Sequence, residues 1–563
     1  MLKVTLLSLL FASISLAAQP FETSPLGPVV AASLADKADH LAIISGGYDA
    51  LLLRVHMIRH AKKSIEVQTF IWTNDECGRL IMYELIEAAR RGVKVRIIAD
   101  HMVSEQEPET IAFLATAHPN LQLKHYRPAM SRMKPSMLDN VIAAVTSFHG
   151  INQRMHNKIM LFDDIAVITG GRNIENTYYD HATGMNFRDR DVLAIGHVAR
   201  DVSKSFEEFW DYRYAVASRD LADVEAVIKK NAFRRYEKRD DYDFGGYFDE
   251  LHVQADDAKV IGERFTSRLK PVKKVSFICD EPGKSKGFFS TTARITRELR
   301  HVIEKARESV VMQTPYLVLS KSARTLFSEI QKKHPELRIR ISSNSFASTD
   351  NLMAYSANYR LRNNYVEDLN LIIHEFKPQP ATLEALFPQY PLMASKAKAL
   401  IADGKQDREP FLCIHAKSLV VDNAIAYIGS YNLDPRSERL NTEVGLLVED
   451  EAFAHELREE IEADMRPENS WVIGRRSLPL HLEAVNGLID SVLSLSPIDV
   501  WPIQNTTSFE LKPGATEVPP DHPDFHKNYR EAGAFPGTEG FLTTKEIVTR
   551  LYKAVGAPLT PVL

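Results

Sequence analysis

AKKSIEVQTFIWTNDECGRLIMYELIEAARRGVKVRIIAD, residues 61–100, has a second version at residues 306–344, ARESVVMQTPYLVLSKSARTLFSEIQKKHPELRIRISSN. Each copy gives a short apolar strand carrying Gln-Thr, then an amphipathic helix, then an alternating strand. In the first copy Leu80, Ile81, Glu84, Leu85 and Ala88 fall at helical spacing, Gly92 marks the stop, and Val93, Val95 and Ile97 then alternate. Strands alternating with helices predict a sheet covered by helices, an α/β fold. Two copies predict two similar domains, with expected boundaries at 30–265 and 266–497 and a strand over Val275–Ile278 opening the second. The charged stretch Lys229–Asp243 between the copies reads as a solvated helix end and linker.

The ends of the chain read differently. Lys3, the apolar run Val4–Leu16 and the small residues Ala17-Ala18 read as a cleaved export signal over residues 1–18, too short to span a bilayer comfortably. The expected location is therefore periplasmic or secreted. Residues 498–563 read as a Pro-rich strap followed by a short helix opened by the capping box Thr543-Thr544-Lys545-Glu546. Leu482–Leu493 carries an amphipathic pattern that fits a core-facing helix or, alternatively, an interfacial one.

Composition narrows the class. The 563 residues contain 69 Lys+Arg against 74 Asp+Glu, a formal net charge of −5, which argues against bulk electrostatic binding of nucleic acid. Three cysteines, Cys77, Cys279 and Cys413, cannot frame a disulfide-stabilised fold and are expected to be buried fillers. No Cys/His set has zinc-finger spacing, and no metal site is expected.

The chemistry is carried by a second duplicated motif. HNKIMLFD places His156, Lys158 and Asp163; HAKSLVVD places His415, Lys417 and Asp422. Gly170-Gly171 follows the first and Gly429-Ser430 the second, and Asn173 and Asn432 each lie seventeen residues after their histidine. His and Lys two apart on a strand project from one face. Asp163 and Asp422 fall at a tight hairpin turn and read as scaffold residues. Each half thus offers one imidazole, one ammonium and one carboxamide, equipment for a phosphate: cations and amides hold oxygens while the histidines react. One imidazole can attack phosphorus and the other can protonate the leaving oxygen. Glu443 is the expected orienting acceptor for His415 and Asp191 for His156, because the acid–Val step aligns in both copies; Asp189 is the fallback.

These motifs resemble the phospholipase D superfamily over roughly residues 40 to 500, and MHNKIMLFDDIAVITGGRNI, FRDRDVLAIG and IGSYNLDPRSERLNTEVGLLVED are similar to bacterial cardiolipin synthases of the C branch. The resemblance implies two α/β domains, each with a central mixed sheet, related by a pseudo-two-fold axis, with one site in the cleft and no metal. It also implies that His156 is the nucleophile and His415 the acid/base; the sequence by itself does not orient the pair. The implied activity is transfer of a phosphatidyl group to the hydroxyl of phosphatidylglycerol, with release of glycerol or ethanolamine and no nucleotide cofactor. The implied partners are phospholipids, phosphatidylglycerol with phosphatidylethanolamine as a second donor, met by peripheral contact with a membrane. Hydrolysis to phosphatidic acid is the alternative. A nuclease is disfavoured by the absence of a basic, aromatic-interleaved track, and a catalytically dead lipid-binding scaffold by the two intact motifs.

Overall fold

The computed structural model describes residues 20–101, 107–128, 131–135, 153–244, 246–284, 293–476 and 505–538. The signal-like segment and the helices expected over Leu482–Leu493 and from Thr543 lie outside the described residues.

Among the described residues the chain forms two large mixed sheets. The first runs β10 (Lys270–Pro271), β1 (His40–Ile44), β8 (Asp191–Ile195), β6 (Ala166–Gly170), β5 (Ile159–Phe162), β2 (Ser64–Thr69), β3 (Lys94–Asp100), β4 (Leu121–Tyr126) and β9 (Ala215–Ala217). The second runs β11 (Val275–Cys279), β18 (Val444–Glu449), β17 (Ile425–Gly429), β16 (Ser418–Val421), β12 (Ser309–Gln313), β13 (Arg338–Asn344), β14 (Ile372–Phe376), β19 (Ser470–Arg475), β20 (Thr506–Leu511) and β21 (Tyr529–Gly533). In each, three neighbours are parallel, β2–β3–β4 and β12–β13–β14, and the other pairs are antiparallel.

The parallel strands are the quoted repeat. A parallel pair needs a crossover, and the helix Glu76–Arg90 supplies it between β2 and β3, as Lys321–Lys333 does between β12 and β13. Both helices are capped: the Asp75 side chain accepts from Gly78 N and the Ser320 side chain from Ala323 N. The first buries Leu80, Ile81, Glu84, Leu85 and Ala88, the stripe read from the sequence.

The hairpins that follow, β5–β6 and β16–β17, turn on Asp163-Asp164 and Asp422-Asn423, all four at positive φ. Asp and Asn tolerate that conformation, which the tight turns closed by Ile165 N to Phe162 O and Ala424 N to Val421 O use, within three-residue connections.

The sheet edges differ from the expected boundaries. β10 pairs with β1, so the first sheet draws in Lys270–Pro271, beyond residue 265. Residues 506–533 are not only a strap: β20 and β21 extend the second sheet past β19. Thr506, Thr507, Ser508 and Phe509 are buried there, and Pro513, Pro519, Pro520 and Pro523 all fall in the connection between the two strands. The prolines mask two short strands when the segment is read by composition alone.

One apolar cluster is shared by both sheets. Ile43, Leu161, Val192 and Ala194 of the first meet Val311, Val420, Ala426 and Leu446 of the second, together with Phe206 and Phe209 from the helix Val198–Trp210 and Leu457 and Ile461 from the helix Glu451–Met465. Fully burying one such side chain is worth about 1.5–3 kcal/mol. A shared core of this kind fixes the halves against each other and disfavours hinge motion. Among the described residues no helix is long and apolar enough to cross a membrane. The three cysteines are free and buried.

Candidate active site

The two motifs meet where the halves join. Met155 bridges Thr442 in parallel, and β7 (Met185–Arg188) pairs in parallel with β15 (Phe411–Ile414). His156 N donates to Thr442 O at 3.0 Å, and His415 N donates to Arg188 O at 2.9 Å. Each histidine is therefore docked on the residue that precedes a carboxylate of the other half. His156 Nδ1 lies 2.8 Å from Glu443 Oε2, and His415 Nδ1 lies 2.7 Å from Asp189 Oδ2.

This corrects the expected pairing in two ways. Glu443 orients His156, not His415. The acid matching it is Asp189, not Asp191, which sits at 0% exposure against Arg54 (2.9 Å) and Arg172 (3.3 Å). The reason is register. Gly170 stands opposite Asp191, whereas Gly429 stands opposite Gly445, so Asp191 occupies the place of Gly445 and Asp189 that of Glu443. A two-residue slip along a strand keeps the same face, so alternation cannot detect it.

The small residues after the hairpins allow these approaches. A Cβ on Gly171 would lie 2.1 Å from Asp189 Oδ1. Ser430 stands in the corresponding place of the second half, and its hydroxyl donates to Glu443. A Cβ on Gly429 would come within 2.3 Å of the Val444 carbonyl, so this turn must also stay bare.

Lys158 Nζ donates to His156 O at 2.8 Å; Lys417 donates to His415 O, and its Nζ lies 2.7 Å from His415 Nδ1. Asn173 and Asn432 line one cavity of about 300 Å³ with both histidines. The Asn173 carboxamide accepts from Ile71 N and donates to the Tyr178 hydroxyl, while the buried Asn432 Oδ1 has no hydrogen-bond partner among the described residues.

Burial sets the protonation. It lowers both histidines, His415 to about 4, with the neighbouring lysines adding to the shift, so both imidazoles are neutral at pH 7. Burial also lowers Lys158 well below its ordinary value and Lys417 to about 8. Glu443 is pushed up to about 7 by burial. Asp189 goes the other way: Lys417 and His415 outweigh its burial and hold it below the usual carboxylate range. Dianionic or monoanionic phosphate in the cavity would favour the charged forms of the lysines and histidines.

Asp163 and Asp422 lie away from the cavity. Asp163 accepts the backbone N–H groups of Lys62, Lys63 and Ser64; Asp422 accepts those of Arg307, Glu308 and Ser309. Each ties its hairpin to the start of the Gln-Thr strand. We expect Asp163→Ala and Asp422→Ala each to cost about 1–3 kcal/mol of stability, read by denaturant unfolding, with activity per folded molecule retained. A complete loss of activity at unchanged stability would contradict this.

Two bracing residues and several lining residues escaped the sequence reading. Asp100 accepts from Met155 N at 2.9 Å, and Asn344 Oδ1 accepts from Ile414 N at 2.7 Å, so both fix the residue before a histidine. They are the last letters of the two quoted repeats, a signal that was present. Tyr178 packs its ring 5.1 Å from that of His415, with its hydroxyl 3.4 Å from Nε2, and Phe70 packs 4.7 Å from His156. Gln313 accepts from Arg190 across the interface, and Gln68 accepts from Asn157.

The duplicated α/β fold, with both motif histidines lining one cavity, is that of the phospholipase D superfamily, and the class it defines is phosphodiester transferase/hydrolase. The family described as cardiolipin synthase, PLD-like domain, matches residues 55–210 and again 299–465, and the chain belongs to it. Cardiolipin synthase C of Escherichia coli K12 is 26% identical over 410 residues, 72% of this chain and 80% of that protein. An uncharacterized protein of Helicobacter pylori is 29% identical over 77% of this chain and 82% of its own length. The crystal structure of phosphatidylserine synthase from Haemophilus influenzae superposes with a TM-score of 0.50 at 14% identity, covering 83% of this chain and 98% of that one, a likeness of fold.

Proposed function

We propose that the protein is a cardiolipin synthase-like phosphatidyltransferase. The observation that carries this reading is the pair of neutral imidazoles from opposite halves, facing one cavity and each held at Nδ1 by the other half's carboxylate. With Nδ1–H donated to Glu443, His156 presents the Nε2 lone pair to phosphorus. The N–P bond forms as the P–O bond to the headgroup breaks, and His415, protonated when phosphate is bound, gives its proton to the departing oxygen. His415 then takes the proton of an incoming phosphatidylglycerol hydroxyl, whose oxygen displaces His156. One phosphodiester is exchanged for another, so the step needs no external energy source. Lys158, Lys417, Asn173 and Asn432 stabilise the charge on the non-bridging oxygens.

The proposed setting is a membrane surface outside the cytoplasm, reached by the export signal read in residues 1–18 and contacted peripherally. The test is product analysis. Mature protein on phosphatidylglycerol vesicles, with and without phosphatidylethanolamine, is expected to yield cardiolipin plus free glycerol or ethanolamine by mass spectrometry. Phosphatidic acid with little cardiolipin would replace transfer by hydrolysis. Turnover of neither lipid would overturn the lipid assignment.

A further inference from the structure

The charged groups that line the cavity, Glu175, Asp350, Asp434 and Arg436, act differently on the two histidines. Arg436 and Asn441 line it together with His156, and Arg436 is close enough to oppose protonation of that histidine. Asp350 lines it together with His415 and favours protonation there. Asp350 is exposed as well as cavity-lining, so water and substrate can reach it. It is nevertheless held in place. The Tyr316 hydroxyl donates to Oδ2 at 2.6 Å, and the thiol of Cys413, two residues before His415, lies 3.7 Å from Oδ1. Each carboxylate oxygen has two lone pairs, so these contacts leave acceptor capacity on a residue that lines the cavity.

This inference rests on the transferase reading given above. If His156 attacks in line, the departing alcohol lies on the opposite side of phosphorus, next to His415. The incoming alcohol must take the same place in the second half-reaction, by microscopic reversibility. We infer that Asp350, fixed by Tyr316, is the specificity-determining residue for that alcohol, accepting a hydrogen bond from a donor group on the carbon next to the one that bears the phosphoester. Glycerol carries a hydroxyl at that carbon and ethanolamine an ammonium. A plain alkyl alcohol carries neither and leaves the carboxylate unmatched. The same contact therefore screens departing and entering alcohols.

Vesicles of phosphatidylglycerol, phosphatidylethanolamine and phosphatidylethanol would be given to the wild-type protein and to Asp350→Ala and Asp350→Asn, with kcat/KM read from headgroup release. Asp350→Ala is expected to lose about tenfold or more on the two lipids with a donor and less than about twofold on phosphatidylethanol, the size of effect expected of a charged hydrogen bond. Asp350→Asn keeps an acceptor without the charge and is expected to spare the glycerol lipid more than the ethanolamine lipid. Equal losses on all three lipids, or none on any, would overturn the inference while leaving the transferase reading intact. A wild-type protein inert on all three would overturn that reading and the inference with it.

Discussion

His415→Ala is expected to stop turnover and to leave a phosphatidyl group on His156. In the free protein both imidazoles are neutral and the Nδ1 of each is held by a carboxylate, which leaves Nε2 as the nitrogen to meet phosphorus. Their partners differ. Glu443 is pushed up to about 7 and is also hydrogen-bonded by Ser430 and Ser437, whereas Asp189 stays a full carboxylate beside Lys417. A full carboxylate charge beside Nδ1 favours the imidazolium, which suits His415 to carry the proton and His156 to be the attacking base. Removing the general acid/base slows both half-reactions, but the second more when the donor has a good leaving group, since water or alcohol must then attack unaided. Steady-state turnover should fall about 10⁴-fold or more in either histidine variant, the scale seen when a nucleophile or its base is deleted. With an activated phosphodiester donor, intact-mass analysis should show an acid-labile adduct on His415→Ala and none on His156→Ala. The reverse pattern would exchange the two roles. Substantial turnover by either variant would sink the two-histidine scheme.

What the sequence discloses here, and what it hides, follows from range. The Gln-Thr strands, their crossover helices and the His-x-Lys hairpins are local, each within a few tens of residues, and each occurs twice. Hydrophobic period and turn chemistry read them directly. The hairpin roles of Asp163 and Asp422 were legible for the same reason. The orienting carboxylates were not, because Glu443 is 287 residues from His156 and Asp189 is 226 from His415. No spacing rule reaches across a domain interface, and the internal alignment chose the acid–Val step of Asp191 when the sheet register selects Asp189. Tyr178 and Asp350 come to the cavity from outside the duplicated motifs, so duplication could not flag them, and Tyr316 lies in the second repeat where the first has Ile71, so its residue type does not recur. β20 and β21 were hidden by the prolines between them.

The second large effect separates the crossed carboxylates from the buried acid two residues along. Asp189→Asn and Glu443→Gln keep size and shape but cannot hold Nδ1–H as a charged acceptor, and the imidazole is then free to take the wrong tautomer. Each is expected to lower kcat by about 10²–10⁴-fold with the melting transition little changed. Asp191→Asn should do the opposite. It leaves Arg54 and Arg172 buried around a neutral amide, a loss of about 3–5 kcal/mol in stability, with near-normal kcat for the molecules that remain folded. The pH profile supplies the sign. Glu443 is ionised above about 7 and accepts from His156 Nδ1; as pH falls through that value it takes a proton, Nδ1 no longer has a charged acceptor, and the Nε2 lone pair is lost to the other tautomer. Activity should therefore decline on the acid side with a midpoint near 7, and fall again on the alkaline side as Lys417, lowered to about 8, loses its charge. Glu443→Gln should be slow at every pH and lack the acid limb, because no group remains there to titrate. A Glu443→Gln profile that keeps that limb would assign it elsewhere. An Asp191→Asn protein as stable as wild type but as slow as Asp189→Asn would return the orienting role to Asp191 and refute the crossed arrangement.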